Sequence, residues 1–174
     1  LLGTDAHSYG LNPVQWEALR YLGKSNRFSN TVIALAAYLG LTKGTVSQSV
    51  IALEKKGLLR KVDDTHDRRS TKLLLTGQGK RLLKSDPLRD TIAALLDIPA
   101  PARDQMGASL KALLSVRLSA QNRQPFGQCR DCRYFAINHP EGGPHRCLLI
   151  EEKLSAADSE KICVEQLSPL APAA

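Results

Sequence analysis

Four cysteines are the residues of this chain whose type and spacing could bind a metal. Cys129, Cys132, Cys147 and Cys163 are its only cysteines, and they follow the pattern C-x2-C-x14-C-x15-C near the C-terminus. Cysteine thiolates are ligands of structural zinc and of iron–sulfur clusters. A segment of about fifty residues with few apolar side chains generally needs a crosslink or a metal in order to fold. The spacing therefore predicts a small metal-binding or crosslinked module over residues 122–174.

Three kinds of crosslink are compatible with this pattern. Two disulfides would require an oxidising compartment. Zinc suits the C-x2-C pair, although Cys147 and Cys163 do not form a second close pair. A [4Fe–4S] cluster accepts such separated ligands, because each thiolate binds a different iron atom. The spacing also resembles that of high-potential iron–sulfur proteins and of family-four uracil-DNA glycosylases. We expect a [4Fe–4S] cluster, with zinc as the alternative, and we expect His139 and His145 in the long spacer to be ordinary loop residues.

Composition and charge favour a cytoplasmic protein with a polyanionic partner. No stretch has the roughly 18 apolar residues of a membrane helix, and no signal-peptide pattern opens the sequence. The net charge is +7. Residues 1–120 contain 18 Lys and Arg against 10 Asp and Glu, whereas residues 121–174 contain 6 against 7. The basic excess therefore lies in the first part of the chain, and nucleic acid is a natural partner for it.

The elements that precede the cysteines begin with three predicted helices. Asn12, Pro13 and Gln15 are typical of a helix start with a capping box, and Gly23 is typical of a helix end. A second, short helix is predicted over residues 31–39, with a stop at Gly40. A third helix is predicted to follow a cap at Thr42. Two helices joined by a tight glycine-containing turn are typical of a helix-turn-helix.

A β-hairpin and further helices complete the predicted order. The segments LLRKV and TKLLLT are predicted to be strands, and the charged segment DDTHDRRS separates them, which predicts a wing. A helix capped by Thr76 follows, in which Pro87 introduces a kink because it has no N–H to donate. A last helix is predicted over about Pro101–Ala120. The polar segment SAQNRQPFGQ then predicts a boundary near residue 121.

The order and the motifs of residues 11–82 resemble the winged-helix core of the MarR family of bacterial transcription regulators. The resemblance lies in LAAYLGLTKGTVSQSVIALEKKGLL and in the wing segment DDTHDRRSTKLLLTGQG. Within the wing, Asp67, Arg69, Leu75, Thr76 and Gly79 match the D-x-R…L-T-x-x-G signature of that family. The resemblance implies a homodimer that binds a palindromic operator, with recognition helices in successive major grooves and each wing near a flanking minor groove. Repression is the commoner outcome in that family, so we expect a repressor.

The predicted architecture is mainly α, an α+β winged helix with a C-terminal helical dimerisation region and a small four-cysteine metal module. The predicted domains are residues 1–121, for DNA binding and dimerisation, and residues 122–174, for metal binding. Polar side chains at the start of the third helix can bind base edges, and guanidinium groups of the wing fit a narrow minor groove. The predicted DNA-binding residues are Thr42, Lys43, Thr45, Ser47, Gln48, His66, Arg68 and Arg69.

The sequence predicts a binding protein and not an enzyme. It contains no H-E-x-x-H motif, no phosphate-binding glycine loop and no recognisable catalytic triad. The C-R-D-C pair suggests a dithiol oxidoreductase as a remote alternative, but no βαβ pattern surrounds it. A small aromatic effector bound between the DNA-binding lobe and the dimer helices is neither favoured nor excluded by these residues.

Overall fold

The computed structural model describes residues 9–64, 71–124 and 126–167. The helices of the first 120 residues are α1 (Pro13–Lys24), α2 (Val32–Leu39), α3 (Lys43–Lys55), α4 (Gly77–Leu83), α5 (Arg89–Ala94) and α6 (Ala100–Ala120). The wing strands are β1 (Leu59–Asp63) and β2 (Thr71–Leu75). The cysteine-containing segment has β3 (Gly127–Gln128), β4 (Phe135–Ala136), β5 (His145–Cys147), β6 (Glu152–Leu154), α7 (Ala156–Ser159) and β7 (Ile162–Cys163).

Helix α1 begins as its capping residues predict. The Asn12 side chain accepts a hydrogen bond from the Gln15 N–H at 2.9 Å, and the Gln15 side chain accepts one from the Asn12 N–H at 3.1 Å. Both halves of the capping box are thus present. Leu11 before the cap and Trp16 after it are both buried. Local sequence therefore fixes where α1 starts and which face it turns to the core.

The helix-turn-helix consists of α2 and α3. Gly40 ends α2 in the left-handed conformation, with φ +67°, and the turn continues to Thr42, whose side chain caps α3. Leu35 of α2 and Val46 and Val50 of α3 are completely buried. These apolar contacts fix the position of α3, and they leave its polar N-terminal residues outside the core.

The wing is an antiparallel pair of strands whose register places Leu59 opposite Leu75. Leu59 and Leu73 are each 1% exposed, so the base of the hairpin belongs to the core. An isolated bridge between Thr31 and Lys72 ties β2 to the start of α2. The hairpin predicted from the sequence is therefore present, with its base held against the helix-turn-helix.

The segment after the wing differs from the sequence prediction. One kinked helix was expected, whereas the structure has two helices, α4 and α5, separated by residues 84–88. Pro87 lies in this break and has no N–H to continue a helix. The neighbouring Asp86 carboxylate accepts hydrogen bonds from the Arg20 guanidinium at 2.7 and 2.6 Å. The prediction of one helix is wrong because this long-range ion pair and the proline together favour a break.

Helix α6 is long and presents apolar side chains to the solvent in this single chain. Leu110, Leu113, Leu114 and Val116 are between 57% and 68% exposed. At the end of α6 the chain turns back, and Arg123 donates hydrogen bonds to the carbonyl groups of Ala37 and Tyr38 at the end of α2. Among the described helices, none has the length and hydropathy needed to cross a membrane.

The cysteine-containing segment packs directly against the α1–α2 linker. Strands β3 and β7 form one small antiparallel sheet, and β4, β5 and β6 form another. Ile162 of β7 makes a parallel bridge with Ser25, and both Ile162 and Val164 pack against the core of the winged helix. The predicted fold class, a mainly helical winged helix with small sheets, is confirmed.

Candidate DNA-binding surface and cysteine site

The predicted recognition residues lie together on the N-terminal half of α3. Lys43, Thr45 and Gln48 are exposed, and Ser47 is half-buried. Their neighbours Val46 and Val50 are fully buried and hold the opposite face against α2. The structure therefore places a polar, partly cationic surface at a helix N-terminus, where the macrodipole also favours a phosphate group.

Two of these residues also stabilise the helix start. The Thr42 hydroxyl accepts a hydrogen bond from the Thr45 N–H at 3.2 Å, and the two hydroxyl oxygens lie 2.9 Å apart. Both side chains are exposed. Thr42 thus has a capping role that the sequence predicted, besides its predicted contact with DNA.

The other predicted DNA contacts belong to the wing tip. His66, Arg68 and Arg69 fall in residues 65–70, which lie outside the described residues. Their DNA-binding role stays a prediction.

All four cysteines line one mainly apolar cavity. Most of its remaining walls are apolar side chains from the cysteine-containing segment and from the α1–α2 linker. Those apolar walls are Phe28, Tyr134, Phe135, Leu149, Ile150 and Leu154. Four thiols around an apolar, partly enclosed space fit a group that occupies the space and excludes water from its ligands.

The described residues do not include a preformed ion site. Within residues 9–64, 71–124 and 126–167, no three His, Cys, Asp or Glu side chains converge as they would around a bound ion. His139 and His145 do not line the cysteine cavity; the Nδ1 atoms accept hydrogen bonds from the backbone N–H groups of Glu141 and Asn138, respectively. The metal-ligand role of the four thiols therefore stays a prediction.

Two polar residues of the α1–α2 linker take part in the cysteine site. Asn26 Nδ2 donates to Cys129 Sγ at 3.2 Å, and the Ser29 hydroxyl accepts from the N–H of Val164, the residue after Cys163, at 2.9 Å. Asn26 is 2% exposed and Ser29 is completely buried. The sequence of this linker does not point to the cysteine site. Nothing local distinguishes it, because these contacts join residues more than one hundred positions apart.

The buried Cys129 thiol and the half-buried Cys163 thiol differ in acidity. A hydrogen bond from the Cys129 thiol lowers the pKa of Cys163, and hydrogen bonds from Asn26, from the Glu165 N–H and from Ser29 act in the same direction. The pKa of Cys129 is raised by its hydrogen bond to Cys163 and by burial. The pair therefore favours one thiolate, at Cys163, beside one thiol donor.

Two of the arginines that flank the cysteines pair with carboxylates. Arg130 and Glu160 form an ion pair at 2.6 Å, and Arg146 pairs with Glu141. Both carboxylates belong to the cysteine-containing segment, so we assign these two ion pairs to holding its loops together. The hydrogen bond to Cys129 Sγ comes from the neutral amide of Asn26.

Comparisons with known proteins agree with this arrangement. Residues 9–70 match the model of the MarR family. The S. aureus MepR–DNA complex is 26% identical at a TM-score of 0.52, and the match covers 64% of this chain and 83% of that chain. A MarR transcriptional regulator from Methanosarcina mazei Go1 is 23% identical at a TM-score of 0.56, with coverages of 68% and 86%. The regulator BldR from Sulfolobus solfataricus is 22% identical at a TM-score of 0.52, with coverages of 64% and 78%. A comparison with curated proteins finds no match.

Proposed function

Because residues 9–70 match the MarR family and fold as a MarR-type winged helix, we propose that this protein is a transcription regulator. It binds a palindromic DNA operator as a homodimer and acts as a repressor. The observation that carries the proposal is the exposed polar start of α3 above a fully buried apolar face. S. aureus MepR, a similar structure, was solved as a complex with DNA.

The chemistry of the α3 surface suits the major groove. Gln48 can bind adenine through two hydrogen bonds, whereas Thr45 and Ser47 can accept or donate at several base edges. Lys43 at the helix start is placed for a phosphate. Arg68 and Arg69 of the wing complete the proposed contacts, in a minor groove that attracts guanidinium groups.

The exposed apolar side of α6 supports the homodimer. Leu110, Leu113 and Leu114 are all more than half exposed in the single chain. Contiguous exposed apolar side chains of this kind mark interfaces. Two copies joined along α6 would give the two-fold symmetry that a palindromic operator requires.

The four cysteines hold a [4Fe–4S] cluster in this proposal. The cavity that they line, its apolar walls and the hydrogen bond from Asn26 to Cys129 support a group bound through thiolate sulfur. When bound, such a cluster supplies a redox centre whose integrity depends on oxidants and on iron supply. The protein thereby acts as a redox- or iron-responsive regulator and not as an enzyme.

DNA binding is tested by selection from a random duplex library, followed by anisotropy titrations with the selected duplex. We expect two half-sites about 10–10.5 bp apart, or a multiple of that distance. Lys43→Ala should reduce the slope of log K against log salt by about one per subunit, and therefore by about two for the dimer. Lys111→Ala, a change at a 78% exposed lysine side chain of α6, is the matched control and should leave the slope unchanged. Recovery of no preferred sequence would contradict the proposal.

Metal binding is tested on protein purified without oxygen, with iron, sulfide and zinc assayed on one sample. A broad absorption band near about 400 nm, with about four irons and four sulfides per chain, is the expected result for a cubane cluster. A colourless protein with one zinc per chain would refute the cluster. It would favour a structural zinc, with an effector such as a small aromatic acid bound elsewhere.

A further inference from the structure

The α1–α2 linker, residues 25–30, is clamped by the cysteine-containing segment. The Asn26 N–H donates to the Ile162 carbonyl at 2.9 Å, next to the bridge between Ser25 and Ile162. The Val164 N–H donates to the Ser29 hydroxyl oxygen at 2.9 Å. Backbone pairing thus holds the linker beside β7, the strand that carries Cys163.

The same linker supplies a hydrogen-bond donor to sulfur. Asn26 Nδ2 donates to Cys129 Sγ at 3.2 Å. A metal-bound thiolate is a charged acceptor, whereas a thiol is a weak one. A buried donor that loses a charged acceptor must remain poorly satisfied or turn towards another partner. The position of Asn26 is therefore sensitive to what the Cys129 sulfur binds, and so is that of Ser29, whose N–H donates to Asn26 Oδ1 at 2.9 Å.

The linker also contacts the helix-turn-helix and the wing. The Ser29 carbonyl accepts a hydrogen bond from the buried Tyr21 hydroxyl at 2.7 Å. The centroid of the Tyr21 ring lies 4.7 Å from the centroid of the Tyr38 ring in α2. Asn30 exchanges hydrogen bonds with Leu73 of the wing strand β2. One residue after Asn30, Thr31 caps α2. A displacement of the linker would thus be passed to α2 and to the base of the wing.

We propose that Asn26 and Ser29 are positioning residues that transmit the state of the four-cysteine site to the helix-turn-helix of the same subunit. The inference rests on the proposed function, and it applies to any group held by thiolate sulfur. The path runs from Cys129 and Cys163, through the linker, to α2 and then to α3.

Two substitutions test the two contacts of the linker with the cysteine-containing segment. Asn26→Asp keeps the Oδ1 acceptor that binds the N–H groups of Phe28 and Ser29 at 3.1 and 2.9 Å, but it removes the amide donor to Cys129 Sγ. Ser29→Ala removes the hydroxyl that accepts from the Val164 N–H, with little change in volume. Arg27→Gln is the matched control, because Arg27 joins the same linker to Asp158 at 2.7 Å, and its described contacts do not include a sulfur atom.

The first measurement is hydrogen exchange of the full chain, wild type against Cys132→Ala. This change removes one predicted ligand and leaves Cys129, whose sulfur accepts from Asn26. We expect faster exchange in peptides covering residues 25–40, in addition to any change within residues 127–167. An unchanged profile over residues 25–40 would overturn the inference, whatever metal the protein holds. The metal content of the wild type decides the proposed cofactor separately.

The second measurement is the ratio of DNA affinities between the metal-loaded and metal-free forms. An allosteric coupling typically gives a ratio of about 5-fold or more. Asn26→Asp and Ser29→Ala should bring this ratio towards one, and Asn26→Asp should also shift the sulfur-to-metal absorption band, while Arg27→Gln should keep both. An Asn26→Asp protein that matches Arg27→Gln in ratio and in spectrum would refute a role for the hydrogen bond to sulfur.

Discussion

The ion pair between Arg20 and Asp86 gives a sharp test of how the winged helix is joined to its C-terminal helices. Arg20 of α1 donates through Nε and Nη2 to the two carboxylate oxygens of Asp86, at 2.7 and 2.6 Å. The Arg20 side chain is 20% exposed and that of Asp86 is 10% exposed. Hydrogen bonds between charged, partly buried groups contribute about 1.5–3 kcal/mol. Asp86→Asn should therefore lower the free energy of unfolding by about 2 kcal/mol.

The pH dependence of this effect follows from the carboxylate. The hydrogen bond with Arg20 holds the pKa of Asp86 below its ordinary value, and burial opposes this only in part. The stabilisation is therefore fully present above the unfolded-state pKa, about 3.9, and is lost as the pH falls through the lower folded-state pKa. The difference between wild type and Asp86→Asn should thus be large at neutral pH and should shrink in strong acid.

Urea denaturation at several pH values measures both effects. With an m-value of about 2 kcal/mol/M, a loss of about 2 kcal/mol moves the midpoint by about 1 M. Glu17→Gln is the control on the same arginine, because the Glu17 side chain is 44% exposed and such a surface pair contributes at most about 1 kcal/mol. Equal midpoints for Asp86→Asn and Glu17→Gln at neutral pH would refute this reasoning, as would a difference that persists at low pH.

Three further substitutions test other parts of the structure. Gly40→Ala should cost about 1–2 kcal/mol in thermal unfolding, because φ is +67° and a Cβ would lie 2.5 Å from Arg123 Nη1; unchanged stability would contradict the described turn. Gly79→Ala should lower the free energy of unfolding by about 1–3 kcal/mol, because a Cβ would lie 2.0 Å from the Leu58 carbonyl oxygen. Gly107→Ala is the control, because a Cβ at that position has no neighbouring atom within 4 Å. Leu113→Glu should convert the proposed dimer to a monomer in sedimentation, and a dimer that persists would exclude this face of α6.

The structure explains two positions of the wing segment that carry the family resemblance, Thr76 and Gly79. Thr76 caps α4 through the Gly79 N–H at 3.1 Å, and its hydroxyl donates to the Gly57 carbonyl at 2.6 Å. Gly79 lets α4 approach the Leu58 carbonyl, where a side chain would not fit. The resemblance supplied these positions from the sequence, whereas only the packing explains why a glycine is required.

The sequence by itself determined the elements whose signals are local. The capping box of Asn12 and Gln15, the left-handed Gly40 and the cap at Thr42 all involve residues within a few positions of one another. Such signals set where helices start and end, because the hydrogen bonds that they make are made within one turn. The helix-turn-helix followed from them, whereas the hairpin followed from two short segments on either side of a charged one.

Tertiary structure determined the features that depend on contacts between residues far apart in the sequence. The break between α4 and α5 depends on Arg20, which lies 66 positions before Asp86. The α1–α2 linker is part of the cysteine site because Asn26 donates a hydrogen bond to Cys129, which lies 103 positions later. The four cysteines identified a candidate site by their spacing alone. Its donors could not be predicted, because a buried asparagine in a polar linker differs from a solvated one only in the surface that folds against it.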